Sequence, residues 1–151
     1  MIRLTADSTC DLGEHIAKRG IGIKPLTVIL GGSPYSDGVD IVPQDIFNYV
    51  EKTGQLPKTA APSIADYEDF FRPYVEAGET VIHFSISSKA SSSYSYAAEA
   101  AKTFGGKVHV VDSKALSTGQ GLVIMMAADL RDAGASAEEI VGKANAVRPK
   151  V

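Results

Sequence analysis

Short apolar runs that end in hydroxyl- and aspartate-bearing turns, each followed by a helix start, recur along this chain. Ile2 to Ala6 is one, closed by Asp7-Ser8-Thr9. Thr80 to Ser85 is another, running into a serine-rich turn, and Lys107 to Val111 is the clearest buried strand, leading into Asp112-Ser113. Pro25 to Leu30 forms a further strand region with Pro25 at its first position. Helical stretches between such strands favour right-handed crossovers and a mostly parallel sheet covered on both faces. The expected fold is α/β, a three-layer α/β/α arrangement. At 151 residues the chain suffices for one domain and is too short for two full ones, so residues 1–151 are read as a single domain.

The helix signals are mostly punctuated. Asp11 with Glu14 reads as a capping box, with Gly20 as the stop. Gly31 to Gly38 is expected to be an exposed loop or hairpin tip. Pro43 suits the first position of a helix running to about Thr53 and closed by Gly54, and Leu56 to Pro62 reads as a loop. Ser63 with Asp66 starts another helix, which Pro73 is expected to end or bend. An alanine-rich helix follows from about Ser91 to Thr103, then an apolar one from Leu122 to Ala133. Ser136 with Glu139 caps a last helix to about Asn145. The tail from Ala146 to Val151 has no stop signal of its own and reads like a chain cut in a connection.

Composition narrows the function classes. A net charge of −3 gives no electrostatic reason to approach nucleic acid or anionic lipid, so no nucleic-acid partner and at most transient membrane contact are expected. Cys10 is the sole cysteine, which excludes a disulfide within the chain and suits a reducing cytoplasm. Met1 to Asp7 has no apolar core of a signal peptide, and the longest apolar run, Leu122 to Ala128, falls far short of the ~20 residues a membrane helix needs.

Ligands of open parallel sheets bind beyond the carboxyl ends of the strands. Three hydroxyl-rich segments fall there: Asp7 to Thr9, Ser85 to Tyr96 with seven serines, and Asp112 to Gly119. Each precedes a helix start, where free N–H groups favour an anion. Ser, Thr and Asp at such places are most often only caps, and Ser63 satisfies that role fully. The serine segment is harder to dismiss, because a turn and one cap use two or three hydroxyls.

Other chemistries fit poorly. The second carboxylate of Asp7-Ser8-Thr9-Cys10-Asp11 stands four residues on, where a phosphatase aspartate motif has it two residues on. His83 and His109 lie in predicted strands and read as packing residues, and no histidine pair has metal-ligand spacing. There is no Gly-x-Ser-x-Gly elbow, no dinucleotide fingerprint and no Walker lysine motif. Cys10 at a helix start is open to a lowered pKa, with a small buried residue the better reading. A hydrolase or phosphotransfer enzyme using Asp7, Asp112 and the serine cluster stays as the rival.

The same segments resemble the DegV family, over essentially the whole chain. Its opening Thr-Asp-Ser-Thr-x-Asp-Leu is similar to Thr5-Ala6-Asp7-Ser8-Thr9-Cys10-Asp11-Leu12. Its Tyr-x-Asp-Gly-x-Asp-Ile loop is matched by Tyr35 to Ile41, and its Thr-Ser-Gln-Pro-Ser element by Thr59 to Ser63. The serine turn, Ile86 to Ala97, and Val111 to Gly121 complete five motifs in family order. The resemblance implies a carrier that is not an enzyme, with no catalytic residues, no cofactor and no metal. It implies non-covalent binding of one long-chain fatty acid, such as palmitate, stearate or oleate, between two α/β domains. It also implies a bacterial fatty acid kinase as partner, to which the carboxylate is presented. The head-group hydroxyls carry over to Thr59 and Ser91, with Ser92 and Ser63 beside them.

This chain departs from the pattern at Ala60, Ala61, Ala90, Ser92 and Ser93. An altered acyl preference is as compatible with those changes as lost binding. Family members run to nearly twice this length, and lack of the second domain implies an exposed apolar groove and self-association. Burying a methylene gives about 0.8 kcal/mol, so a sixteen-carbon tail supplies roughly 12 kcal/mol before ordering costs. The tail then drives affinity, and uncharged hydroxyls need only offset the desolvation of the acid end.

Overall fold

A computed structural model describes residues 1–148; the last three residues of the tail discussed above lie outside the described residues. Seven strands and six helices follow one another as β1 (Ile2–Asp7), α1 (His15–Lys18), β2 (Gly22–Lys24), β3 (Thr27–Leu30), β4 (Ser33–Ser36), α2 (Pro43–Thr53), β5 (Lys58–Ala60), α3 (Ile64–Glu76), β6 (Thr80–Ser85), α4 (Ser93–Ala101), β7 (Val108–Asp112), α5 (Ser117–Asp132) and α6 (Ala137–Val147). Short 3₁₀ turns occupy Ser8–Cys10 and Lys102–Phe104.

Four strands form the expected parallel sheet in the order β2-β1-β6-β7. Period-two alternation splits its side chains between two cores. Leu4, Ala6, Ile82, Phe84 and Val111 pack with Val123, Ile124 and Ala127 of α5 and Ile140 and Ala144 of α6. On the opposite face Val81 and Val108 meet Tyr67 and Phe71 of α3 and Ala97 and Ala100 of α4. The sheet is therefore covered on both faces, an α/β fold. Its carboxyl edge carries Asp7, Ser85 and Asp112, with Ser85 and Asp112 in register.

Several expectations need correction. The most buried strand is β6, because β7 stands at the sheet edge and leaves His109 and Val110 half exposed. The expected strand at Pro25 to Leu30 forms as β3 but starts at Thr27 and joins a separate antiparallel sheet, while β2, ending just before Pro25, is a strand not foreseen and joins the parallel sheet. That second sheet, ordered β4-β3-β5, makes a hairpin of Gly31 to Gly38, as one of the two readings there allowed, and absorbs part of the Leu56 to Pro62 segment read as a loop. Gly31 and Gly32, with φ of 56° and 89°, make the two-residue turn between β3 and β4. Lys58–Ala60 pairs with β3 although all three residues are exposed, so it has no alternating burial for a sequence reading to detect.

The capping boxes at Ser63–Asp66 and Ser136–Glu139 form as expected, and α2 starts at Pro43 and closes at Gly54 with φ 69°. The one at Asp11–Glu14 does not form. Asp11 and Gly13 take φ of 48° and 53°, which turns the chain away before a first helical turn, and α1 shrinks to four residues. Pro73 does not end α3, which runs on to Glu76. Pro73 and Asp69 both face solvent, so water can take the carbonyl that a proline N–H cannot reach. Helix α5 begins five residues before Leu122, at Ser117, and includes both glycines of its motif. Gly121 sits against β1's outgoing turn so closely that a Cβ there would lie 2.8 Å from the Cys10 carbonyl oxygen. That close approach is what the glycine provides.

Candidate functional site

The site is built on the carboxyl ends of β1, β6 and β7. Asp7 leaves β1 fully buried, with both oxygens spoken for. Oδ1 accepts the Tyr67 hydroxyl at 2.7 Å and lies 3.2 Å from His83 Nε2; Oδ2 accepts the Ser85 hydroxyl at 2.8 Å and the Ile86 N–H at 2.9 Å. Burial alone would push this carboxyl upward, but the hydrogen bond and charge of His83, with Tyr67 and the Ile86 N–H, outweigh it. The carboxyl is held below its ordinary value. Burial, then the neighbouring Asp7 charge, pushes the Tyr67 phenol far up, so it stays a donor.

His83 pairs its Nδ1 with Thr5 Oγ1 at 2.9 Å and meets Tyr67, Phe70 and Phe71 edge-on. It is a packing histidine, as its strand position implies. Asp7 has no free lone pair and no solvent face, so the rival enzymatic reading loses its principal carboxylate.

At the end of β7, Asp112 accepts the Ser88 N–H at 3.1 Å, the Ser88 hydroxyl at 2.6 Å and the Lys114 N–H at 3.0 Å. Burial opposes ionisation here too, yet Ser88, the Lys114 N–H and the charge of Arg148 hold this carboxyl below its usual range. Ser87 N–H donates to the Ala115 carbonyl and Ser113 N–H to that of Ser85. The serine loop is thus tied down on two sides by two carboxylates.

Above these ties lies an open depression of about 350 Å³, lined by Ser88, Lys89, Ala90, Ser91, Ser92 and Ser95. Ser91 and Ser92 are brought together there, at the start of α4. The Ser91 hydroxyl is 2.9 Å from that of buried Ser93 and accepts the Ser93 N–H at 3.1 Å. Ser92 occupies the cap position with no side-chain cap bond. Lys89 on this depression is a cation that the reading of an uncharged hydroxyl site left out, since no pattern of neighbouring residues marks it.

Thr59 lies exposed on β5, opposite Val28, and Ser63 caps α3, accepting the Asp66 N–H at 3.1 Å. Among the described residues no hydrogen bond joins either of them to the serine loop. Asp7 and its ring of partners were legible only as a strand-end aspartate, since Tyr67 and His83 lie 60 and 76 residues away. Cys10 is fully buried, and burial pushes its thiol up, in keeping with the small buried residue that its sequence favours over an activated thiol.

Leu116 and Leu122 stand 58% and 62% exposed, and Leu122 borders an apolar groove with Leu12 and Met125. Among the described residues no helix is long and apolar enough to cross a membrane. Nor does any group of three or more acidic, histidine or cysteine side chains there suit a metal ion.

The family profile described as DegV, an uncharacterised protein family, matches residues 1–151. The chain belongs to the DegV family. A DegV domain-containing protein of Deinococcus radiodurans is 35% identical over 150 residues, covering 99% of this chain and 53% of the relative. A fatty-acid-binding DegV family protein of Thermus thermophilus superposes with a TM-score of 0.90 at 34% identity, over 98% of this chain and 53% of that one. A stearic acid-binding protein of Eubacterium ventriosum does so with a TM-score of 0.87 at 33% identity, over 96% and 52%. The chain spans about half the length of each of these proteins.

Proposed function

We propose that this DegV chain forms one wall of a binding site for a long-chain fatty acid, holding the acid end while apolar carbon provides most of the affinity. The observation that carries the reading is the superposition, at a TM-score of 0.90, on half of a fatty-acid-binding DegV structure. The depression over the serine loop supports it, offering hydroxyls from Ser91 and Ser92 at the start of a helix of nine residues, where backbone N–H groups favour an anion. Thr59 and Ser63 complete the proposed head-group set. In this reading residues 1–151 act as one α/β domain, cytoplasmic, as a carrier without catalysis of its own that presents the carboxylate to a fatty acid kinase. The exposed leucines supply the apolar surface for the remainder of the pocket or for self-association.

The test is the mass of lipid extracted from the whole protein after gentle purification. A fatty acid of the palmitate, stearate or oleate class at near one per protein is the expected result. A protein that comes out empty and also refuses labelled palmitate and oleate removes the assignment. A kinase partner is tested separately, by whether adding a fatty acid kinase to the loaded protein yields acyl phosphate.

A further inference from the structure

The two segments that carry the proposed head-group hydroxyls come from different parts of the molecule. Ser91 and Ser92 belong to the loop that leaves β6; Thr59 and Ser63 belong to β5 and the start of α3. One buried side chain touches both. Asp7 Oδ2 takes the Ser85 hydroxyl and the Ile86 N–H at the root of the serine loop. Asp7 Oδ1 takes the hydroxyl of Tyr67, and Tyr67 is locked to Ser63 by the first backbone bond of α3, Tyr67 N–H to the Ser63 carbonyl at 3.2 Å.

We propose that Asp7 is a positioning residue, a buried bridge that sets the Thr59–Ser63 segment and the Ser91–Ser92 loop at the separation a carboxylate needs. This inference rests on the fatty-acid reading above. The chemistry of the bridge is specific. A carboxylate accepts at two oxygens, and here each oxygen faces donors from one segment only, apart from His83. An amide in its place accepts at one oxygen and offers an N–H₂ to the other pair of donors, so one segment or the other is released. Full burial makes the loss costly, because a released donor has no water to turn to.

Two gentle variants test the bridge one arm at a time. Tyr67→Phe keeps the ring packed and removes the α3 arm's bond to Asp7 together with the hydroxyl's contact to Ser93, whereas Ser85→Ala cuts only one bond of the loop arm. In the intact protein, affinity is measured for palmitate and for hexadecanol, which shares the tail and lacks the acid. Amide exchange at Ile86 and along the serine loop is followed in parallel.

We expect both variants to lower the preference for acid over alcohol by about tenfold, with alcohol affinity within about twofold of the parent, the size expected for misplacing one charge-assisted hydrogen bond. Loop exchange should quicken in Ser85→Ala. An unchanged acid-to-alcohol ratio overturns the positioning role, whether or not exchange quickens, since faster exchange alone is what a purely structural bond would give. A parent protein that binds neither compound fails the fatty-acid reading itself and takes this inference with it, a result separate from a binding parent with unaltered variants.

Discussion

Asp112 accepts both the backbone N–H and the hydroxyl of Ser88, at 3.1 and 2.6 Å, so the end of β7 holds the outer arm of the serine loop. The Asp112 side is buried and ionised, which makes this a charge-assisted contact of the stronger kind. Ser88→Ala is expected to cost about 1–2 kcal/mol, read as a lower midpoint in urea with an unchanged slope. No change in midpoint would mean that water replaces the hydroxyl freely.

Two helical glycines should respond in opposite directions to alanine. Gly142 lies exposed in α6 with nothing near its missing Cβ, so Gly142→Ala should stabilise by about 0.5–1 kcal/mol through helix propensity alone. At Gly121 the new methyl meets the Cys10 carbonyl at 2.8 Å and Leu12 at 3.0 Å, and Gly121→Ala should destabilise by roughly 1–3 kcal/mol despite the same propensity gain. Thermal midpoints of the two variants that move in the same direction would contradict the close approach of α5 to the Cys10 turn.

Acid should weaken the fold in a defined window. Asp7 and Asp112 sit below their ordinary values in the folded chain, against the pull of burial, because His83 and Tyr67 serve the first and Ser88 and the Lys114 N–H the second. The unfolded chain takes up these protons near pH 4, while the folded chain holds out to lower pH. Proton uptake therefore favours unfolding, and the stability they provide is complete above about pH 5 and drains as pH falls through the folded-state values. Urea midpoints should stay flat from pH 7 to 5 and then drop. Asp112→Asn should start lower at neutral pH and fall less steeply; parallel curves would show that Asp112 is not among the groups responsible.

Much of this was written locally, and the exceptions have a common cause. The parallel strands, Pro43, Gly54 and the boxes at Ser63 and Ser136 follow from neighbours three or four residues apart, and the fold kept them. What escaped depends on distant partners. β5 is an exposed strand only because β3 stands beside it. The serine loop was visible as an excess of hydroxyls. Its anchoring was not, since Asp7 draws donors from α3 and from the end of β6.

Cys10 gives a simple check on that buried edge. Its thiol is enclosed, and burial raises its pKa, so reaction with a small aromatic disulfide at pH 8 should run at least about tenfold slower than in denaturant. Equal rates would mean that the turn after β1 opens readily.

Ser91 and Thr59 should differ when each is replaced by alanine. Ser91 holds Ser93 in place by two contacts, so Ser91→Ala is expected to cost about 1 kcal/mol of stability, whereas exposed Thr59→Ala should be near neutral. Both should weaken palmitate binding in the intact protein. Retained affinity in the double variant would move the head group elsewhere.

The antiparallel sheet and α2 share little with the two cores. Helix α2 contains no buried residue, Phe47 is 65% exposed, and β4 and β5 are covered on neither side. Such a segment opens at a lower free energy than the parallel sheet beneath it. Thr59 therefore belongs to the part of the chain that should exchange its amide hydrogens first, and Ser91 to the part anchored by Asp7 and Asp112, which should exchange late.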